Sequence, residues 1–477
     1  MKLPLWLLLS IVCAACDGLS FEADTFKTKA NPRNCVVTPS LCSADQVCDS
    51  LQKICVPKIS MCTDSGGCSD DSLAYCVPGT STCKPCNAPQ TSGGSSPTTS
   101  EANARCAARA ARLGTGTVVC VQGACRECGT NADCTQPAKA FCDQSRNICI
   151  GCMEDNQCPG SNVCKKDESL LSTNDTLQNI GECVASGQVA YVNKNAANCA
   201  SGSGTVVSPF CQIQTAIDSG KSYIRVIAGE EYAPIRVQNS QRVIVYGPGR
   251  TQASLLAARV TTGARLTLQD LSLKPAAMTS STSLIQCDTG SYLTVRRVLV
   301  SGINLGASVF GGIIANQCAR VLVESTKVDA ISGNGMSIIG GRDHQIINSA
   351  IIRCGNTSVR DGLFIGAGIS NSIFAFNTIT NNIRGAQCES NVAITDSIVQ
   401  GNTMDPMTEI IGSCAVDRVV TSGVTLASTT NGEDPRVNAD PMDRVRDKAQ
   451  VSPLVKADYF GAARGLRPDI GFHEFSP

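Results

Sequence analysis

Through residues 243–420 apolar or small side chains recur at positions x, x+2, x+5 and x+7 of a repeated phrase. Leu266, Leu268, Leu271 and Leu273 fit it, as do Leu293, Val295, Val298 and Val300, then Val321, Val323, Thr326 and Val328. Weaker copies start at Val243, Gln345, Phe374 and Val392. Steps of two within each half predict short strands with one face inward, and the extra residue in the middle predicts a turn that flips the phase. A coil of two or three such strands cannot bury its apolar face alone, so copies must stack around a continuous core. The pattern therefore predicts an all-β chain whose later part is a parallel β-solenoid. A β-sandwich with irregular hairpins is the competing reading, and long internal self-similarity speaks against it.

The polar positions agree with stacked coils. Position x+3 carries Gln269, Arg296, Glu324, Asn348, Asn377 and Thr395, which reads as the middle turn. Upstream, Phe210, Ile213, Ala216 and Ile217 have helical spacing and predict a short helix covering the first open coil, with Cys199 and Cys211 bridged around it. Three coils carry a Gln-Cys pair, at Gln286-Cys287, Gln317-Cys318 and Gln387-Cys388. Coils stacked about 4.8 Å apart put cysteines within disulfide reach. Bridges Cys287–Cys318 and Cys388–Cys414 are expected, with Cys354 left as a free thiol; a row of reduced buried cysteines is the alternative.

Composition divides the chain. Lys and Arg number 40, balanced by 40 Asp and Glu, with no basic run, so nucleic acid is not an expected partner. Of 29 cysteines, 22 fall within residues 35–211. Cys62, Cys68, Cys76, Cys83 and Cys86 show the same four gaps as Cys128, Cys134, Cys142, Cys149 and Cys152, which marks a duplicated module. Cys125-x2-Cys128 and Cys149-x2-Cys152 also have zinc-ribbon spacing, but extra cysteines and an export signal favour disulfides. Residues 35–86 and 106–187 read as cysteine-rich modules that need bridges for want of a core. They resemble the cysteine-rich repeats of exported bacterial lipoproteins. Residues 87–105 read as a Ser/Thr/Pro/Gly linker, and the blocks together as a stalk.

At the start, Lys2 precedes an apolar run from Leu3 to Ala15, too short to span a bilayer and expected to be a signal peptide over 1–15. Its end, Val12-Cys13-Ala14-Ala15-Cys16, resembles the bacterial lipobox, although Cys13 departs from it. The resemblance implies a lipid anchor on Cys16 and a tether over 16–34; ordinary secretion is the alternative. The expected location is the cell envelope, at the outer membrane or cell surface, with membrane contact through the anchor only.

Residues 188–477 resemble right-handed parallel β-helix proteins of the pectin-lyase-like class, on the opening Tyr191-Val192-Asn193, the coil repeat and the closing Arg467-Pro468-Asp469-Ile470-Gly471-Phe472-His473-Glu474. That resemblance implies a right-handed parallel β-helix but not an activity, because the class contains lyases, hydrolases, epimerases and proteins with none. The obvious charged cluster is Arg342, Asp343 and His344, with Arg360 and Asp361 about one coil on. Asp343 could orient His344 as a base while an Arg holds a carboxylate; turn residues and solvated charge are the plainer reading. The polygalacturonase and epimerase phrases are not found, nor is a P-loop. No metal ligand set or cofactor motif is read, and a structural calcium held by scattered Asp and carbonyls is left open. The expectation is a non-catalytic envelope lipoprotein that binds surface polysaccharide or protein; the alternative is a surface polysaccharide lyase, epimerase or glycoside hydrolase.

Overall fold

The computed structural model describes residues 46–49, 54–57, 68, 70–77, 82–89, 95–113, 116–152, 155–158, 160–165, 181–274, 283–303, 311–355, 360–402, 409–426, 437–439, 444–451, 458–459, 464 and 468–473. The expected signal peptide, Cys16 and the tether lie outside the described residues. Among the described residues no helix is long and apolar enough to cross a membrane. The chain divides into two compact units, 1–134 with 142–149, and 135–141 with 150–477.

The first unit is built on disulfides and short hairpins. Tyr75–Val77 pairs antiparallel with Thr82–Lys84, and Val119–Val121 with Ala124–Arg126. Bridges join Cys68 to Cys83, Cys86 to Cys120, Cys106 to Cys125, Cys128 to Cys142 and Cys134 to Cys149. The repeated spacing thus carries a repeated bond, second cysteine to fourth, in Cys68–Cys83 and Cys134–Cys149. The linker expected over 87–105 is corrected. Its end belongs to helix α1, Thr99–Leu113. Thr98 and Glu101 cap each other: the Thr98 N–H donates to the Glu101 carboxylate at 2.8 Å and the Glu101 N–H donates to Thr98 Oγ1 at 3.3 Å. Ala102, Cys106, Arg109 and Ala110 form the buried stripe. Arg109 donates from Nε to the Cys68 carbonyl at 2.8 Å and pairs with Asp71 at 2.6 Å, so its burial is compensated.

The second unit is a parallel β-solenoid with three strand rows. The first row includes Arg242–Tyr246, Arg265–Gln269, Tyr292–Arg296, Arg320–Glu324, Gln345–Ile347, Ile373–Ala375 and Ala415–Val420. The second includes Ala253–Leu255, Ser272–Leu273, Leu299–Ser301, Lys327–Asp329, Ala350–Ile352 and Thr378–Thr380. The third has eight strands, from Ile235–Val237 to Ile410–Gly412. Leu266 pairs with Leu293 and Leu293 with Val321, so the x positions stand above one another. In the copies that start at Leu266, Leu293 and Val321 the aliphatic side chains at x, x+2, x+5 and x+7 all lie in one core, and Thr326 at x+5 is buried as well. Burying each Val, Leu or Ile is worth about 1.5–3 kcal/mol, and only the stack supplies that burial.

The middle turn sits one residue later than expected. Position x+3 is still extended and points outward; x+4 takes the left-handed conformation that flips the phase. Asp270, Arg297, Ser325, Asn348, Phe376, Asp396 and Arg418 occupy it, with φ between 47° and 56°. A second left-handed corner follows at Ala330, Arg353 and Asn381, with φ from 55° to 57°. Two copy starts are also corrected. Val323 pairs with Ile346 and Ile346 with Phe374, so those residues hold x+2 and the copies begin at His344 and Ser372. Polar residues at inward positions hid the phase.

Those polar residues form a ladder at x+5. The Thr326 N–H donates to Ser349 Oγ at 3.2 Å, the Ser349 N–H to Asn377 Oδ1 at 3.0 Å, and the Asn377 N–H to Ser397 Oγ at 3.1 Å. The expected helix is present as α2, Ile213–Asp218, with Ile213, Ala216 and Ile217 in the core. Phe210 precedes it and bridges Val192. The boundary expected at 187/188 is not a structural one, because Tyr191 donates its hydroxyl to the carbonyls of Gly160 and Ser161 at 3.0 and 3.1 Å, and Arg225 pairs with Asp155 at 2.8 Å. At the other end the closing phrase lies along the second row. Ile470 packs with Ile398 and Val420, and Phe472 with Ala350 and Ile352.

Candidate functional site

The charged residues singled out in the sequence do not meet in one cleft. His344 occupies an inward x position and is fully buried. Its Nδ1 accepts the Val321 N–H at 3.0 Å, and its Nε2 lies 2.9 Å from the Gly340 carbonyl. Both ring nitrogens are spent on the coil above and the corner beside it. Burial lowers its pKa, with the Gly340 contact opposing, and the neutral ring with hydrogen on Nε2 fits this geometry. Asp343 is at a left-handed corner and accepts from Asn371. Arg342 lies 3.8 Å from Asp343, with its side chain 79 % exposed.

Asp361 opens the strand Asp361–Ile365, whereas Arg342 pairs with Ser370 beyond the end of that strand. Five residues of strand separate the two levels, roughly 13 Å or more. Asp361 is buried and faces the next coil, where Arg384 places Nε 2.8 Å from Oδ1 and donates from Nη2 to Oδ2 at 3.0 Å. Burial raises the Asp361 pKa, and Arg384 works against that shift. Arg360 is exposed beside it. The same coil-to-coil pairing recurs for Asp270 with Arg297, Glu324 with Arg296, Asp329 with Arg353 and Asp396 with Arg418. These charges brace the stack.

A different place offers an open site. A depression of about 330 Å³ lies where the first and second rows turn near the amino-terminal coils. Ala253, Ser254, Ser272 and Leu299 contribute from the second row, and Glu230, Glu231, Arg250, Thr251 and Lys274 also line it. Its volume falls within the range of small-ligand sites. Ser254 Oγ accepts the Glu231 N–H at 2.8 Å, while Lys194 Nζ donates to the carbonyls of Glu230 and Glu231, both at 3.1 Å. The irregular end of the strand Tyr223–Tyr232, which carries both glutamates, is therefore held from both sides. Arg250 is a clamp: Nε donates to the Arg297 carbonyl at 2.9 Å, Nη2 to the Ser325 carbonyl at 2.6 Å, and the guanidinium lies 4.3 Å from the Tyr459 ring centroid.

Hydroxyls, two carboxylates and an ammonium can hydrogen-bond a polyhydroxylated or zwitterionic molecule. The lining includes no histidine, cysteine or aromatic ring. Nothing in the sequence pointed to Glu230, Glu231 or Lys274, because the strands that bring them together are contiguous only after the coils stack.

The ten disulfides among the described residues include Cys199–Cys211, Cys287–Cys318 and Cys388–Cys414, and Cys354 is a buried free thiol. Three groups of cysteine sulfurs lie within 4.8 Å of one another, at Cys86, Cys106 and Cys125, at Cys128, Cys134 and Cys149, and at Cys152, Cys158 and Cys164. All of them are in disulfide bridges.

No family model matches the chain, and no curated protein does. Among solved structures it is similar to the crystal structure of pectate lyase Pel9A, at 11% identity over 60% of this chain and 96% of that one, with a TM-score of 0.33.

Proposed function

We propose that the chain is exported, anchored to a bacterial cell envelope through Cys16, and binds surface polysaccharide or protein on its solenoid without turning it over. The observation that carries this reading is the use of the titratable groups. His344 is neutral inside the coil, and Asp361 is closed against Arg384. A general base must reach the proton it abstracts, and neither group does. The depression beside Glu230 and Lys274 supplies hydrogen-bonding groups of both signs, suited to recognition. The bridges are in keeping with an oxidising, extracytoplasmic setting.

The test pairs two measurements. Acidic and neutral surface polysaccharides are titrated against the oxidised full chain by calorimetry, and the same mixtures are assayed for unsaturated products and new reducing ends. Saturable binding without products is expected; sustained turnover would establish the lyase, epimerase or hydrolase alternative instead. Mass spectrometry of the mature protein is expected to find an acylated Cys16, and an unmodified later start would remove the anchor.

A further inference from the structure

The two ends of the solenoid are finished differently. At the amino-terminal end α2 seats Ile213, Ala216 and Ile217 on the core. At the other end the interior columns stop in the open. The x+2 column runs Val245, Leu268, Val295, Val323, Ile346, Phe374, Ile394, each 0 % exposed, and then Val416, which is 55 % exposed. Every earlier member is closed by the coil that follows; among the described residues no strand follows Val416 in this column. Ile410, Cys414 and Val419 are likewise only partly buried against the core. Gln400 Nε2 donates to the Val424 carbonyl at 2.6 Å, which ties the end of the last coil to the coil before it.

The strand Ala415–Val420 pairs on one side, with Ala393–Gln400, and Ile410–Gly412 pairs on one side, with Arg384–Cys388. Among the described residues no strand pairs with the other edge of either. The Ala415 N–H bonds back to the Val392 carbonyl at 2.9 Å. Alternation along the ladder then turns the Val416 backbone groups to the free edge. After the corner at Arg418, Val419 faces the same way, because in the coil before it the x+5 carbonyl of Asn377 is what Ile398 bonds from the following coil, at 2.8 Å.

We propose that this end is a self-association surface on which two copies of the chain meet tail to tail about a twofold axis. The edge is complementary to itself. Running antiparallel, Val416 of each copy falls opposite Val419 of the other, both with inward side chains and both with backbone groups turned to an edge that no strand among the described residues pairs. Between them Asp417, its side chain 59 % exposed, pairs within its own chain with Arg418, which also holds Asp396; across the axis each such pair falls opposite the other, Asp417 against Arg418. Apolar meets apolar and acid meets base in one register, as an isologous contact requires. The cap formed by α2 blocks head-to-tail addition, so the assembly closes as a dimer. A foreign extended strand could use the same edge, but it would not supply that match of faces and charges.

Sedimentation velocity on the oxidised full chain across a concentration series tests this. A dimer is expected, with Val416→Arg and Asp417→Lys each weakening association by about tenfold or more. Raised salt should weaken the wild-type dimer. Val207→Arg, on the 92 % exposed Val207 in the turn Thr205–Ser208, is expected to leave the dimer intact. Circular-dichroism melts confirm that each variant is folded; if Val416→Arg is not, Asp417→Lys decides. A wild type that stays monomeric at every concentration, or variants indistinguishable from it, overturns the proposal.

Discussion

At His344 the coil requires an inward residue and receives an imidazole without charge. Burial lowers its pKa, so the folded state resists protonation where the unfolded chain does not. The sign follows. Above the ordinary histidine value near 6.5 both states are neutral and nothing is lost. As pH falls through that value only the unfolded chain takes up the proton, and stability declines by up to about 1.4 kcal/mol per pH unit. Melting curves at pH 8 and pH 5 should show the decline, and His344→Leu should flatten it even though it lowers stability at pH 8; equal slopes would show that His344 titrates freely. Asp361 and Arg342 separate by the same logic of burial. Asp361→Ala strands the Arg384 guanidinium and should cost about 3 kcal/mol in denaturant unfolding. Arg342→Ala, at an exposed corner, should stay within about 0.5 kcal/mol. Similar losses at both would contradict their assigned environments.

Among elements, the strand phrase was legible wherever aliphatic residues filled the inward positions, as at Leu266, Leu293 and Val321. It failed where the coil accepts polar side chains because a ladder satisfies them: His344 and Ser372 disguised two copy starts, and Ser349 and Asn377 occupy inward x+5. Helix α1 escaped notice for another reason. Its buried stripe is Ala102, Cys106, Arg109 and Ala110, which carries little hydrophobic signal, and a bridge and an ion pair do the work. The depression at Glu230 was illegible because its walls are distant in sequence. Coil-spanning bridges, by contrast, followed from stacking. Cys388–Cys414 closes 26 residues at the exposed end of the stack. Replacing both cysteines with alanine should destabilise the unit by roughly 3–4 kcal/mol on the chain-entropy estimate, read as a lower midpoint in guanidinium; no shift would mean that the last coil does not belong to the cooperative unit.

For the whole molecule, Cys354 offers a reporter. Its thiol is buried in the core, and burial pushes its pKa up to about 12. The thiolate is the reactive form. Alkylation of Cys354 without reduction should therefore be negligible in the native protein and should rise with denaturant in step with global unfolding. Rapid native labelling would require that the coils open locally.

The two left-handed corners lie five residues apart in copy after copy, at Ser325 and Ala330, Asn348 and Arg353, Phe376 and Asn381. Yet successive copies differ in length, from 20 residues between Phe374 and Ile394 to 28 between Val295 and Val323. All elasticity is thereby displaced from the two-row frame into the remainder of each coil. That remainder is where an epitope tag, a protease site or a grafted recognition peptide can be spliced in without disturbing the register of its neighbours.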